Sequence, residues 1–233
     1  MIKVVKLKPV ITFALVVLCG IVACLGTYKI AKVNSQTKLN YTIVLDAGHG
    51  GIDGGCVGST TGISEAEINL SVTKKLESLL TGFGFRVVLT RTNSNGLYSI
   101  TSTNKKQDDL QKRKQIIVNA TPNLLVSIHM NSYVNSSEHG AQTFYQTGSE
   151  NSKHLATTIQ AELVKNLTDA RTNCNQSDLY ILKCVSAPSV VVEGGFLSNP
   201  TDESLLVTPS YQQQMAYSIF CGILKYFEIV STI

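Results

Sequence analysis

Two histidines and a glutamate stand where apolar runs stop. Thr42-Ile43-Val44-Leu45 leads into Asp46-Ala47-Gly48-His49-Gly50-Gly51, and Leu124-Leu125-Val126-Ser127-Ile128 leads into His129-Met130-Asn131. Ser189-Val190-Val191-Val192 leads likewise into Glu193-Gly194-Gly195-Phe196. Short β-branched runs of this kind read as buried strands, and open α/β sheets hold their ligands at the carboxyl ends of such strands. If the three strands lie parallel, His49, His129 and Glu193 emerge on one rim. Two neutral imidazoles and one carboxylate, with a fourth position open, form the ligand set of a catalytic zinc ion. A zinc hydrolase then needs a further carboxylate as general base. Glu65, Glu67 and Glu193 are the candidates.

Ser64-Glu65-Ala66-Glu67 fits a capping box in which Glu67 reaches back to the Ser64 amide. Positions two apart on a helix differ by about 200°, so the two carboxylates cannot share a target. Both also suit the positive end of a helix, and on local grounds the role of Glu65 stays open. Asp46 has two readings: it fixes the tautomer of a ligand imidazole, or it bonds its own turn. Asn131 either orients substrate or braces a loop. His139 and His154 read as surface histidines.

The elements that must position these groups alternate along the chain. The apolar period predicts helices over residues 64–80, 109–119, 152–167 and 211–227, with Ile68, Val72, Leu76 and Leu79 on one face of the first. Strands are predicted at 42–45, 85–90, 124–128, 141–145, 179–182 and 189–192. Residues 93–106 read as a long exposed polar loop. The alternation argues for one α/β domain, a three-layer arrangement with helices on both faces of the sheet.

Charge is unevenly spread. Six of the 20 Lys and Arg but none of the 16 Asp and Glu precede Tyr41, which leaves the remainder of the chain net acidic. A nucleic-acid partner is therefore not expected, because that requires basic residues clustered on the folded domain. Lys3, Lys6 and Lys8 precede an uncharged apolar run over residues 10–25. That pattern reads as a signal or membrane-anchor segment at 1–30, followed by a polar linker at 31–40 and the catalytic domain at 41–233. Positive charge before the run places the body outside the cytoplasm, either membrane-anchored or secreted. Cys24 follows Ile21-Val22-Ala23, a loose match to a lipoprotein cleavage site. Cys174 and Cys184 are close enough in sequence to pair in an exported domain, although idle thiols are the simpler reading.

Four motifs together resemble a known family. They are Leu45-Asp46-Ala47-Gly48-His49-Gly50-Gly51, Gly62-x-x-Glu65-x-x-x-Asn69-Leu70, Ser127-Ile128-His129-x-Asn131 and Val192-Glu193-x-Gly195-Phe196-Leu197-Ser198-Asn199. In this order they resemble the zinc-dependent N-acetylmuramoyl-L-alanine amidases of the LytC/AmiC type. The resemblance implies a mixed, mostly parallel sheet and one Zn2+ held by His49, Glu65 and His129, with Glu193 as catalytic acid/base. It also implies peptidoglycan as substrate, cut between the lactyl group of muramic acid and L-alanine. The stretch between His129 and Glu193 is too short for the autoinhibitory helix of division-associated relatives. A leader plus one compact domain most resembles the spore-cortex, CwlD-type subgroup, whose action permits muramic-δ-lactam formation in the forespore intermembrane space. An accessory surface protein that loads or positions the enzyme is left open. The rival readings are a zinc peptidase or deacetylase acting on another wall substrate, and a non-catalytic wall-binding protein.

Overall fold

A computed structural model describes residues 39–229. The apolar run at 10–25, Cys24 and the linker up to residue 38 lie outside the described residues. Among the described residues no helix is long and apolar enough to cross a membrane.

Six strands form one sheet: β1 (Thr42–Ala47), β2 (Arg86–Leu89), β3 (Leu124–Asn131), β4 (Gln142–Gln146), β5 (Asn175–Ser177) and β6 (Ser189–Phe196). Their spatial order is β2-β1-β3-β6-β4-β5, parallel throughout except where β4 meets β6. The helices are α1 (Glu65–Phe83), α2 (Lys105–Asn119), α3 (Glu150–Asn166), α4 (Pro200–Leu206) and α5 (Pro209–Tyr226).

Strand periodicity sorts the core into two layers. Ile43, Leu45, Leu124, Val126, Ile128, Val190 and Val192 face the larger layer, which α1, α3 and α5 complete. Val44, Leu125 and Val191 face the smaller one, closed by Ile117 of α2 and by Ile181 and Leu182 of a 3-10 helix, Tyr180–Lys183. Continuing the alternation, Asp46, Ser127, His129 and Glu193 fall on the thinner side. The order β1-β3-β6 brings the three motif-bearing strands together at the centre of the sheet.

α1 ends at Gly84, whose φ of 112° lets its amide close on the Leu80 and Thr81 carbonyls. The fourth residue on its buried stripe is Leu80 rather than Leu79. The expected capping box does not form: Ser64 makes no side-chain cap, and its hydroxyl donates to exposed Glu67 Oε1 at 3.2 Å.

Several expectations need correction. The expected strand at 179–182 is instead the 3-10 helix Tyr180–Lys183 with Leu179 as its N-cap, because periodicity alone does not distinguish a short apolar helical segment from a strand. β5 and α4 lie in polar or short stretches that carry no apolar period. α2 begins at Lys105, four residues before the expected start, with Asn104 Oδ1 accepting from the Gln107 amide at 3.1 Å. The polar loop before it is tied down: the Tyr98 hydroxyl accepts from the Ile52 amide at 2.9 Å, and Ser94 O accepts from the Gly51 amide at 2.8 Å. Cys174 packs against the larger core layer and Cys184 lies in the smaller one, so the sheet separates them and both thiols are free.

Candidate metal centre

His49 follows β1 in the left-handed region, at φ 61°. That conformation is strained for a residue with a Cβ and persists only where surroundings impose it. Two buried arginines do so. Arg91 donates to Ala47 O at 2.8 Å through Nε and to Gly48 O at 2.9 Å through Nη2. Arg113 donates to Ala47 O at 2.6 Å and to His49 O. Consecutive carbonyls of the turn thus accept charge-assisted hydrogen bonds.

His129 reaches the same place from β3, one step before a register shift that re-aims the strand end. Its imidazole lies directly over Gly48, where a Cβ would stand 2.2 Å from Nε2. Glu65 arrives from the first turn of α1. Its Oε1 is 2.8 Å from His129 Nδ1 and 3.2 Å from His49 Nε2. Asn69, one turn along α1, donates to the same oxygen at 3.1 Å and to Gly48 O at 3.1 Å. The amides of Met130 and Cys56 donate to Oε1 and Oε2 at 3.2 and 3.0 Å. Burial raises the Glu65 pKa, but the hydrogen bonds and charges of both imidazoles outweigh it and hold the carboxyl well below its usual range. Asp53 Oδ1 sits 3.0 Å from the remaining His49 nitrogen, Nδ1.

One nitrogen of His49, one of His129 and one oxygen of Glu65 lie within 4.8 Å of one another. Two ligands on a tetrahedral zinc ion stand about 3.3 Å apart, as follows from bond lengths near 2.1 Å. The 3.2 Å separation is close to that span, the 2.8 Å one is a direct hydrogen bond that an ion would replace, and the donor set of two imidazoles and a carboxylate is one that binds zinc. The residues therefore fit a metal ion.

Glu193 pairs with His129 in register across β3 and β6 and lines the same cavity of about 350 Å³. Its Oε2 is buried without a hydrogen-bond partner. Burial, helped by the Glu65 charge and opposed by the two histidines, pushes the Glu193 pKa up to about 7. A carboxyl poised there both accepts and returns a proton near neutrality.

The structure thus brings His49, Glu65, His129 and Glu193 together, with Asp46 on the wall of the same cavity and Asn131 outside its lining. Asp46 bonds neither imidazole. It accepts from Thr90 Oγ1 at 2.6 Å, Ser127 Oγ at 2.6 Å and Arg113 Nη1 at 2.8 Å, which corrects both the tautomer-fixing and the own-turn readings. Asn131 braces backbone: its Oδ1 accepts from the Ser132 amide at 2.8 Å and its carbonyl from the Leu197 amide at 2.8 Å. His139 and His154 are exposed. Asp53, Arg91 and Arg113 carry no motif signal of their own. Asn69 did carry one, since it lies one helical turn beyond Glu65.

Comparison with known proteins agrees with this geometry. Residues 43–225 match the family model for N-acetylmuramoyl-L-alanine amidase. The chain is 35% identical over 189 residues to the germination-specific N-acetylmuramoyl-L-alanine amidase of Bacillus subtilis (strain 168), covering 79% of each protein. It is 33% identical to LytC of the same organism over 86% of this chain and 38% of LytC. Among solved structures, the Clostridioides difficile CwlD amidase in complex with the GerS lipoprotein superposes with a TM-score of 0.78 at 40% identity, over 82% of this chain and all of that one. The catalytic domain of CwlV from Bacillus (Paenibacillus) polymyxa var. colistinus gives 0.72 at 29% identity, over 81% and 99%. The chain belongs to the N-acetylmuramoyl-L-alanine amidase family and is similar to its CwlD-type members.

Proposed function

We propose that this amidase cuts the lactyl–L-alanine amide of peptidoglycan with Zn2+ held by His49, Glu65 and His129, and with Glu193 as acid/base. The observation that carries the reading is Glu65 Oε1 held between two imidazoles, beside a buried carboxylate whose Oε2 has no partner. When bound, the ion supplies Lewis acidity toward the amide carbonyl and lowers the pKa of water. Glu193 takes the proton of the attacking water and delivers it to the departing alanine nitrogen. Asp53 lies 3.0 Å from the outer nitrogen of His49, while Asn69 and the Cys56 and Met130 amides fix the Glu65 carboxylate. Gly48 gives the His129 ring its clearance.

The spore-cortex role, preparing muramic acid for δ-lactam closure, is supported by the likeness to the germination-specific amidase and to CwlD. The same likeness supports a lipoprotein partner, since that CwlD was solved with one. Export, with the front of the chain as leader or membrane anchor, rests on the lysines before the apolar run at 10–25.

Digestion of purified peptidoglycan tests the reaction. Peptides with a free L-alanine amino terminus are expected, lost on chelation and restored by zinc. Cleavage within the stem peptide, or release of acetate, would identify a peptidase or deacetylase instead.

A further inference from the structure

We infer that Lys106 is a substrate-positioning residue that holds the free carboxylate of the stem peptide's second residue, a D-glutamate. The inference rests on the amidase reaction at the His49–Glu65–His129 cluster. Lys106, Leu110 and Tyr180 line the catalytic cavity of about 350 Å³ and also a neighbouring depression of about 490 Å³, so the two join past these side chains into one groove. A substrate anchored at Glu193 and continuing along that groove must pass Lys106.

Of the other charged groups on the cavity wall, Glu193 is left for the reaction and Arg113 and Asp53 face protein partners. Arg113 is committed to Asp46 and Asp109, and to the Ala47 and His49 carbonyls. Asp53 faces His49. Lys106, exposed at the mouth, is the one lysine or arginine of the wall with no direct ion pair or hydrogen bond among the described residues, its charge reaching Asp53 only at longer range.

The substrate's chemistry matches that placement. The scissile nitrogen belongs to L-alanine. The next residue is D-glutamate, joined onward through its γ-carbonyl, so its α-carboxylate stays ionised. Its Cα follows that of alanine by about 3.8 Å, one peptide unit. An ammonium on a flexible four-carbon stem follows such a carboxylate without demanding a fixed fork geometry. Leu110 and Tyr180 beside it exclude part of the solvent that weakens exposed pairs.

The test compares muropeptides carrying D-isoglutamate with those carrying D-isoglutamine, in which the carboxylate is amidated. The wild-type enzyme should favour the acid form by about tenfold in KM, the scale of one charge-assisted contact. Lys106→Met should raise KM for the acid form about tenfold, move kcat far less, and bring the two substrates level. Lys106→Arg should restore the preference. Calorimetry with the full chain as Glu193→Gln, with and without Lys106→Met, reads the same preference as binding and decides the point without turnover. Equal affinity of the Glu193→Gln chain for the two forms, or a preference that survives Lys106→Met, overturns the inference. Absence of peptide release by the wild type would count against the amidase reaction instead, with the binding comparison still deciding Lys106.

Discussion

Asp46 shows how much of this site depends on single buried groups. Its carboxylate, 1% exposed, accepts from Thr90, Ser127 and Arg113. Burial raises its pKa, but Arg113 and the two hydroxyls outweigh that and hold it at about 2 against an ordinary 3.8. A carboxyl depressed in the folded state contributes stability above its unfolded pKa and loses it as pH falls through the folded one. Asp46→Asn should therefore cost about 3 kcal/mol near neutral pH, since it also removes one of the two carboxylates paired with the buried Arg113 charge. The gap should narrow as pH drops from about 4 toward about 2, read as urea midpoints across that range. His49, His129 and Glu193 were legible in the sequence because each ends an apolar run. The partners of Asp46 were not, since Thr90, Arg113 and Ser127 lie 44, 67 and 81 residues away and carry no local signal. Choosing Glu65 over Glu67 required the family resemblance. The capping box that agreed with the choice does not form, although Glu67 does turn to solvent beside Ser64.

At the scale of elements, the centre is a junction of two strand ends and one helix start, held by backbone clearance as much as by side chains. Gly48→Ala would drive a methyl into the His129 ring and should weaken zinc affinity by about tenfold or more, the scale seen when ligand support is lost. Competition with a graded chelator measures this. Leu76 is wholly buried where α1 meets the sheet, and Leu76→Ala should cost about 2–5 kcal/mol in denaturant unfolding while leaving the ligand geometry intact. The long helices and the central strands were readable because their apolar periods are unbroken. The run Leu179-Tyr180-Ile181-Leu182 was misread because four consecutive apolar residues look like a buried strand in sequence, whereas only Ile181 and Leu182 are buried, in the smaller core layer. The order in the loop before α2 was invisible, since it comes from Asp109 and Asp108 accepting from the amides of Leu97 and Ser99, both at 2.5 Å. β5 is polar and lies at the sheet edge, where little burial marks it.

For the molecule as a whole, the alternation of strands and helices predicted a single α/β domain with two covered faces, and the structure has that form. Alternation did not dictate that β4 runs antiparallel to β6; the mixed sheet was implied only by the family resemblance. The asymmetry of the layers is what makes the site. Three long helices cover one face, while α2 and a single 3-10 turn cover the other, and the cavity opens through that thinner layer beside the ends of β1, β3 and β6. In the proposed reaction His49, Glu65 and His129 hold the metal while Glu193 moves the proton. Metal content and peptide release measured together on wild type and Glu193→Gln test it most directly. One zinc ion per chain is expected in both proteins, with peptide release reduced at least about a thousandfold in the variant, since the acid/base step and the electrostatics of its charge are lost together. Wild-type rates of release by Glu193→Gln, or undiminished release by a wild-type protein stripped of metal, would contradict it.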